Sequence, residues 1–336
     1  MIFRCAALVV VMLWLSMAPK IVSAQAKTDI PPAPAIDPAE RNAFINELVE
    51  QHGFDRAEVE QGLAQAKFNQ AIYEAIQRPW EAKPWHQYYP IFLTERRLEA
   101  GLAFWQQHQE TLQRAEQTYG VPAHIIVAII GVETFYGSYK GNYSVLDALY
   151  TLGFHYPPRA KFFRSELREY FLMTREEQLP LTELKGSYAG AMGYGQFISS
   201  SYRYYAVDFD GDGVRDLLTN PVDAIGSVAN YFAKHGWQTG KPVTLELAPH
   251  ENHAGLVTSG LKLEQTLQQL LDSGLQLPTG HGLDPAAKAK VFAFQQADSV
   301  DYWLGLQNFY AITRYNHSPL YAMVVHQFSQ QLKQGR

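Results

Sequence analysis

The residue best placed for chemistry is a single acid, Glu133. It stands near the end of Val121-Pro-Ala-His-Ile-Ile-Val-Ala-Ile-Ile-Gly-Val-Glu-Thr-Phe-Tyr-Gly137. Pro122 suits the first turn of a helix, where its missing N–H costs nothing. Residues 125–132 carry no polar stripe, so the predicted helix is buried on every side, and Gly137 is placed to end it. A carboxyl group there is hard to ionise for two reasons. Burial disfavours the anion, and the helix C-terminus already carries partial negative charge. Both raise the pKa, as suits a group that holds its proton near neutral pH and then donates it. A glutamate satisfied by an arginine or by backbone amides fits the segment equally well, so this stretch alone leaves the choice open.

Three further clusters bear on it. Ser187-Tyr-Ala-Gly-Ala-Met-Gly-Tyr-Gly-Gln-Phe197 puts three glycines and several polar groups into one loop, which lets the backbone approach a ligand while Ser187 and Gln196 offer hydrogen bonds. The glycine order is wrong for a dinucleotide site, and no strand precedes it. Asn308-Phe-Tyr-Ala-Ile-Thr-Arg-Tyr-Asn316, followed by His317, Ser318 and Tyr321, is polar and aromatic; alone it reads as an ordinary helix start with packed tyrosines. Asp208-Phe-Asp-Gly-Asp-Gly-Val-Arg-Asp216 opens like a calcium loop. Asp208, Asp210, Asp212 and Asp216 take positions one, three, five and nine, Gly213 the sharp turn, and Val214 would offer its carbonyl. Position twelve is Thr219 rather than glutamate, but Asp223 follows four residues on. Oxygen ligands of this kind favour Ca2+ over zinc, in a structural role. The histidines show no metal-ligand spacing and receive no role.

These residues sit in a chain of 336, of which the first 24 read as a signal peptide. Arg4 precedes an apolar run over residues 6–17, which is short for a bilayer span, and Val22-Ser23-Ala24 suits cleavage. The only cysteine, Cys5, lies in this segment, too early to be the lipidated cysteine of a lipoprotein. The mature chain would hold no thiol, which excludes disulfides, cysteine nucleophiles and Cys-based zinc sites. Without Arg4 and Lys20, 26 basic face 33 acidic side chains, net −7; with no basic tract, nucleic acid is excluded as a partner. Residues 25–40 form a Pro/Ala-rich tether. Residues 41–120 read as a helical subdomain, with Asp55 capping one helix and a long helix over Thr94–Tyr119 ended by Gly120. Pro79, Pro84 and Pro90 mark a loop around Trp80, Trp85, Tyr88 and Tyr89. Residues 121–240 are mostly helical. Residues 241–306 are β-containing, with strands at Val243–Leu247, Val291–Gln295 and Tyr302–Leu306 and a helix at Leu263–Leu271. Residues 307–336 return to helix. The fold class is α+β, predominantly α.

Together the motifs are recognisable. GVETFYG at 131–137, GSYAGAMGYGQF at 186–197, NPVDAIGSVANYF at 220–232 and NFYAITRYN at 308–316 resemble the lytic murein transglycosylase B family, in the same order, over residues 40 to 330. The resemblance implies a lysozyme-like core flanked by an N-terminal helical subdomain and a small inserted β subdomain, with a groove for a peptidoglycan glycan strand. It makes Glu133 the sole catalytic acid/base. It places Ser187, Gln196, Phe197, Tyr231, Tyr315, Asn316 and Tyr321 on the groove, with Tyr88 a looser match. It implies bound calcium at Asp208, Asp210, Asp212, Val214 and Asp223. The family chemistry cleaves the MurNAc–GlcNAc bond without water and leaves a 1,6-anhydromuramyl end. The expected location is the periplasm, without a lipid anchor, and other cell-wall enzymes are candidate partners. Two alternatives stay open: a muramidase using a second acid, for which Asp147 and Glu166 are candidates, and a non-catalytic, calcium-stabilised peptidoglycan-binding protein.

Overall fold

The computed structural model describes residues 32–77 and 83–336. The expected signal peptide, residues 25–31 of the tether, Pro79 and Trp80 lie outside them. Helices α1 (Pro38–His52), α2 (Arg56–Gln65) and α3 (Gln70–Ala75) start where Asp37, Asp55 and Asn69 accept hydrogen bonds from first-turn amides. Such caps satisfy donors that a helix start leaves unpaired. The proline-marked loop departs from expectation: four residues after Pro84 form helix α4 (Trp85–Tyr88). The ring of Trp85 packs 5.3 Å from that of Phe294, which holds this turn against the later sheet.

The single long helix expected over Thr94–Tyr119 is two, α5 (Glu95–Gln107) and α6 (Gln109–Tyr119). His108, at φ −110° and ψ 25°, makes the break, and its ring packs 4.5 Å from Phe104. Gly120 ends α6 in the left-handed conformation, as expected. Helix α7 (Ala123–Thr134) is buried from residue 125 through residue 132. Each of its isoleucines gains roughly 1.5–3 kcal/mol from leaving water, so the segment fixes the middle of the molecule.

Strand β1 (Tyr143–Ser144) leads into α8 (Val145–His155) and α9 (Ala160–Glu176), and β2 (Lys185–Gly186) returns to pair antiparallel with β1. Helices α10 (Ser199–Tyr205) and α11 (Pro221–Lys234) flank the acidic segment. Then come β3 (Thr244–Leu247), α12 (His253–Leu256), β4 (Gln265–Thr266), α13 (Leu267–Asp272), β5 (Lys288–Gln295) and β6 (Val300–Gly305). These strands form an antiparallel sheet in the order β3-β6-β5-β4, with Phe292 opposite Trp303. The helix expected at Leu263–Leu271 starts later. Gln265 and Thr266 pair with β5, and Thr266 forms a capping box with Gln269. Leu247, Leu267, Leu270, Val291 and Leu304 give this region its own small core.

The chain returns through α14 (Gln307–Tyr315) and α15 (Pro319–Gln334). Helix α5 packs against α7, whereas α6 packs mainly against α11, so the break at His108 lets two apolar stripes serve two partners. Helix α15 lies along α7. Among the described residues no helix is long and apolar enough to cross a membrane.

Candidate active site

Helix α7 ends earlier than Gly137. Phe135 N–H donates to the Gly131 carbonyl and Tyr136 N–H to that of Ile130, which closes the helix end. Phe135 (φ 50°), Tyr136 (φ 58°) and Gly137 (φ 86°) are all left-handed. For the two aromatic residues this costs about 1–2 kcal/mol each. Packing offsets the strain: the Tyr136 hydroxyl sits where a Cβ on Gly101 or Gly131 would come within 2.3 or 2.4 Å. Thr134 fastens the turn to the glycine-rich loop, donating to the Tyr194 carbonyl at 2.8 Å and accepting from Gly137 N–H at 2.9 Å.

This turn holds the Glu133 side chain inward. Part of the residue meets solvent, but protein atoms crowd its carboxyl, and desolvation pushes its pKa up to about 7. A single hydrogen bond opposes the rise: Tyr321 Oη donates to Glu133 Oε1 at 2.5 Å. Tyr321 is fixed in turn because Ser318 Oγ accepts its backbone N–H at the start of α15. No ion pair to Glu133 occurs among the described residues, and no second acid contributes to its shift. A carboxyl so placed can give a proton near neutral pH and take one back.

A groove of about 780 Å³ is lined by Gln196, Phe197, Tyr231, Tyr315 and Asn316. Tyr315 joins groove and acid: burial, and next the charge of Glu133, push its hydroxyl well above the usual tyrosine range. That hydroxyl donates to the Gly195 carbonyl at 2.5 Å, and a Cβ on Gly195 would stand 2.7 Å from it. Tyr231 donates to the Arg314 carbonyl at 2.6 Å and stacks on His235, ring centres 3.9 Å apart. Gln196 is left-handed at φ 50°, and its amide donates to the carbonyls of Lys140 and Gly193. Glu133, Tyr321, Ser187 and Tyr88 are not among the groove walls; the acid and Tyr321 lie behind Tyr315, which lines the groove and feels the Glu133 charge. Ser187 Oγ accepts from the amides of Ala189 and Ala191 within its own loop, leaving its proton for a partner. Tyr88 is buried beside Phe92, close enough to Tyr321 to act on its hydroxyl. A second cavity, about 570 Å³, opens beside the sheet at Lys241 and Asp284 and holds none of the candidate residues.

In the acidic loop, carboxylate oxygens of Asp208, Asp210 and Asp212 gather within 4.8 Å of one another. Asp208 accepts from the amides of Gly211, Asp212 and Gly213, and those bonds, Gly213 first, hold its pKa down. Val214 lies on the exposed side of the loop. Asp223 stands apart from the trio: it is fully buried in the first turn of α11 and accepts from the amides of Phe209 and Asp216, which closes the loop. Three hard oxygen donors on a turn with glycine at residue 213 fit a calcium ion.

The matches to known proteins cover this whole arrangement. The transglycosylase SLT domain family matches residues 37–330. The membrane-bound lytic murein transglycosylase B of Escherichia coli is 45% identical over 305 residues, 87% of this chain and 82% of that one. The chain belongs to the lytic murein transglycosylase B family. Its fold is accordingly lysozyme-like, predominantly helical with small sheets. The crystal structure of soluble lytic transglycosylase SltB1 from Pseudomonas aeruginosa matches with a TM-score of 0.82 and 47% identity, covering 88% of this chain and 98% of that one. The Escherichia coli lytic transglycosylase Slt35, solved in complex with calcium, matches with a TM-score of 0.78 and 43% identity, covering 92% and 95%.

Within this family fold, several groove residues escape sequence reasoning. Arg159, Phe162, Tyr204, Tyr205 and His235 also line the groove, beside Arg314 and His317 from the polar and aromatic cluster that starts at Asn308. The only sequence signal for the first five is the aromatic run Tyr202–Tyr205, which has no periodicity that sets it apart from core. The two acids considered as helpers for Glu133 are engaged elsewhere. Asp147 accepts from the Lys67 amide at 2.8 Å. Glu166 is buried on α9 and accepts from the backbone and hydroxyl of Ser200, holding the start of α10.

Proposed function

We propose that this chain cleaves the MurNAc–GlcNAc bond of peptidoglycan strands without water, with Glu133 as the only acid/base. One observation carries the reading: the Glu133 carboxyl is pushed up to about 7, bonded to Tyr321, with no acid partner contributing. Protonated Glu133 gives its proton to the glycosidic oxygen as the bond to C1 of the muramyl ring breaks. The resulting carboxylate then takes the proton of the C6 hydroxyl while that oxygen bonds to C1. The proton returns to Glu133, and the product carries a 1,6-anhydro ring. Most glycosidases use two carboxylates; here an internal hydroxyl takes the place of water, so one suffices.

Each remaining residue has a place in this scheme. Tyr321 donates to Glu133 and steadies the anion that forms between the two steps. Gln196, Phe197, Tyr231, Tyr315 and Asn316 present aromatic faces and amides to the sugar rings, holding C6–OH near C1 and excluding water. Ser187 offers its hydroxyl proton from the glycine-rich loop, and Tyr88 backs Tyr321. Asp208, Asp210, Asp212 and the Val214 carbonyl hold calcium, and Asp223 fixes the loop around them. When bound, the ion supplies charge neutralisation that stiffens the segment between the Gln196 loop and α11. Residues 1–24 direct export to the periplasm, and Cys5 is not lipidated.

The test is digestion of purified sacculi followed by mass spectrometry. Anhydro-muramyl ends, lighter than hydrolysed ends by one water, are the expected product, and reducing ends would make the chain a muramidase. Glu133→Gln lowers turnover by about 10³-fold or more; retained turnover would overturn the assignment of the acid.

A further inference from the structure

The site just described leaves one side chain unexplained, on a helix that contributes nothing to the groove. Arg97, on α5, reaches across to α7. Its Nε donates to the Gly131 carbonyl at 3.2 Å, two residues before Glu133. Its Nη1 donates to the carbonyls of Ile91 and Phe92 at 2.9 and 2.7 Å, in the turn that follows Tyr88. Its own carbonyl accepts from the Tyr136 hydroxyl at 3.2 Å, three residues after Glu133. The guanidinium lies over two rings, 5.4 Å from the centres of both Phe92 and Phe135.

The pattern is specific in two ways. The catalytic carboxylate is bracketed by two bonds to one residue, on either side of a turn in which Phe135 and Tyr136 are both left-handed. Left-handed residues other than glycine relax unless their surroundings hold them. The bond to Gly131 adds a second donor to a carbonyl at the helix C-terminus that already accepts from Phe135 N–H, and it does so with a cation, the favourable sign there. The carbonyls and the two rings together call for a flat, multi-donor cation, which an arginine supplies and a lysine does not.

We propose that Arg97 is a positioning residue for the transglycosylase reaction: its guanidinium clamps the last turn of α7 to the Ile91–Phe92 turn and so fixes where the Glu133 carboxyl points. The inference rests on Glu133 being the proton-transfer group. Arg97 touches neither substrate nor reacting atoms; it acts through the Gly131 carbonyl and the 135–137 turn. An ångström of misplacement at a reacting group lowers a rate by about 10²-fold, and loss of the clamp permits movement of that size.

The test is steady-state kinetics of Arg97→Ala on soluble glycan strands, with Glu133→Gln beside it. Arg97→Ala lowers kcat by about 10²-fold while leaving KM within a factor of two, because the groove walls stay in place. Free guanidinium at millimolar concentration, far below the molar range that denatures, restores a large part of kcat, and methylammonium does not. Arg97→Lys keeps the charge but not the fork, and kcat falls about tenfold. Should Arg97→Ala fail to fold, Arg97→Lys and its melting temperature decide the matter: reduced kcat at an unchanged melting temperature and KM supports the clamp. Wild-type kcat in either variant, or a loss that appears in KM alone or is not rescued by guanidinium, overturns it. If Glu133→Gln is dead while Arg97→Ala turns over normally, the clamp is wrong and the acid stands; if Glu133→Gln turns over, the acid itself is wrong.

Discussion

The end of α7 and the loop at 208–216 both present carboxylates, and they treat them in opposite ways. At Glu133 one acid stands alone in crowded, largely apolar surroundings, with one hydroxyl as partner, and its proton is held up to about pH 7. In the loop three acids stand together at the surface, and Asp208 accepts three backbone amides that keep it ionised. The side-chain chemistry is nearly the same; the difference lies in what the backbone offers. A helix C-terminus presents carbonyls, which repel an anion, whereas a tight turn presents N–H groups, which welcome it. One arrangement holds a proton near neutral pH, and the other holds negative charge at the surface.

If that contrast is right, the largest effect comes from removing the stored proton, as in the turnover of Glu133→Gln above. The same substitution also changes stability with pH. The unfolded glutamate releases its proton near 4.5 and the folded one near 7. Between these values the folded state binds more protons. The stability contributed by the protonated carboxyl is therefore complete below about pH 4.5 and is lost as pH rises through about 7, by at most about 3 kcal/mol. Glutamine has no proton to lose. Thermal melts near pH 8 should therefore favour Glu133→Gln over the wild type by more than melts near pH 5 do. An offset that is constant with pH would mean that Glu133 ionises normally.

Next in size is Tyr321→Phe. The hydroxyl bond stabilises the Glu133 anion, so its loss moves the carboxyl pKa further up and weakens the acid step, in which that anion forms. A bond to an ionised group contributes about 1.5–3 kcal/mol, so kcat falls tenfold or more, and the alkaline limb of the kcat–pH profile shifts to higher pH. A shift to lower pH would mean that Tyr321 acts on the acid in some way other than by donating to it.

How much of this could be read beforehand follows the same division between local and tertiary causes. The burial of residues 125–132 was legible because eight consecutive side chains without a polar stripe leave a helix no solvent face. The caps at Asp55 and Gly120 were legible because each acts within one turn. The break at His108 was not, since the helical pattern continues through it and only the different partners of α5 and α6 separate them. The glycine-rich loop announced a site, but Arg159 and Phe162, Tyr204, and His235 reach the groove from three separate stretches of chain. Arg97 was invisible for the same reason: its partner Gly131 lies 34 residues away, and an arginine on an amphipathic helix looks like any solvated charge.

The smallest expected effect tests the loop side of the contrast. Calcium that binds only the folded chain stabilises it by about 1.4 kcal/mol at a tenfold excess over Kd. The melting temperature should therefore rise with calcium and fall with EDTA. Asp208→Ala removes the carboxylate on which three amides converge, so its melting temperature should no longer respond to calcium. Its kcat should stay within about twofold of wild type, because no step of the proton transfer passes through the loop. A loss of kcat much larger than the loss of stability would mean that the loop does more than stiffen the scaffold. The 208–216 segment joins the Gln196 loop, through α10, to the helix bearing Tyr231, so the groove wall is where such a coupling would act. An Asp223→Asn variant separates the two outcomes. That buried side chain closes the loop through the Phe209 and Asp216 amides, so it lowers stability with or without calcium, and it changes kcat only if the loop positions the groove.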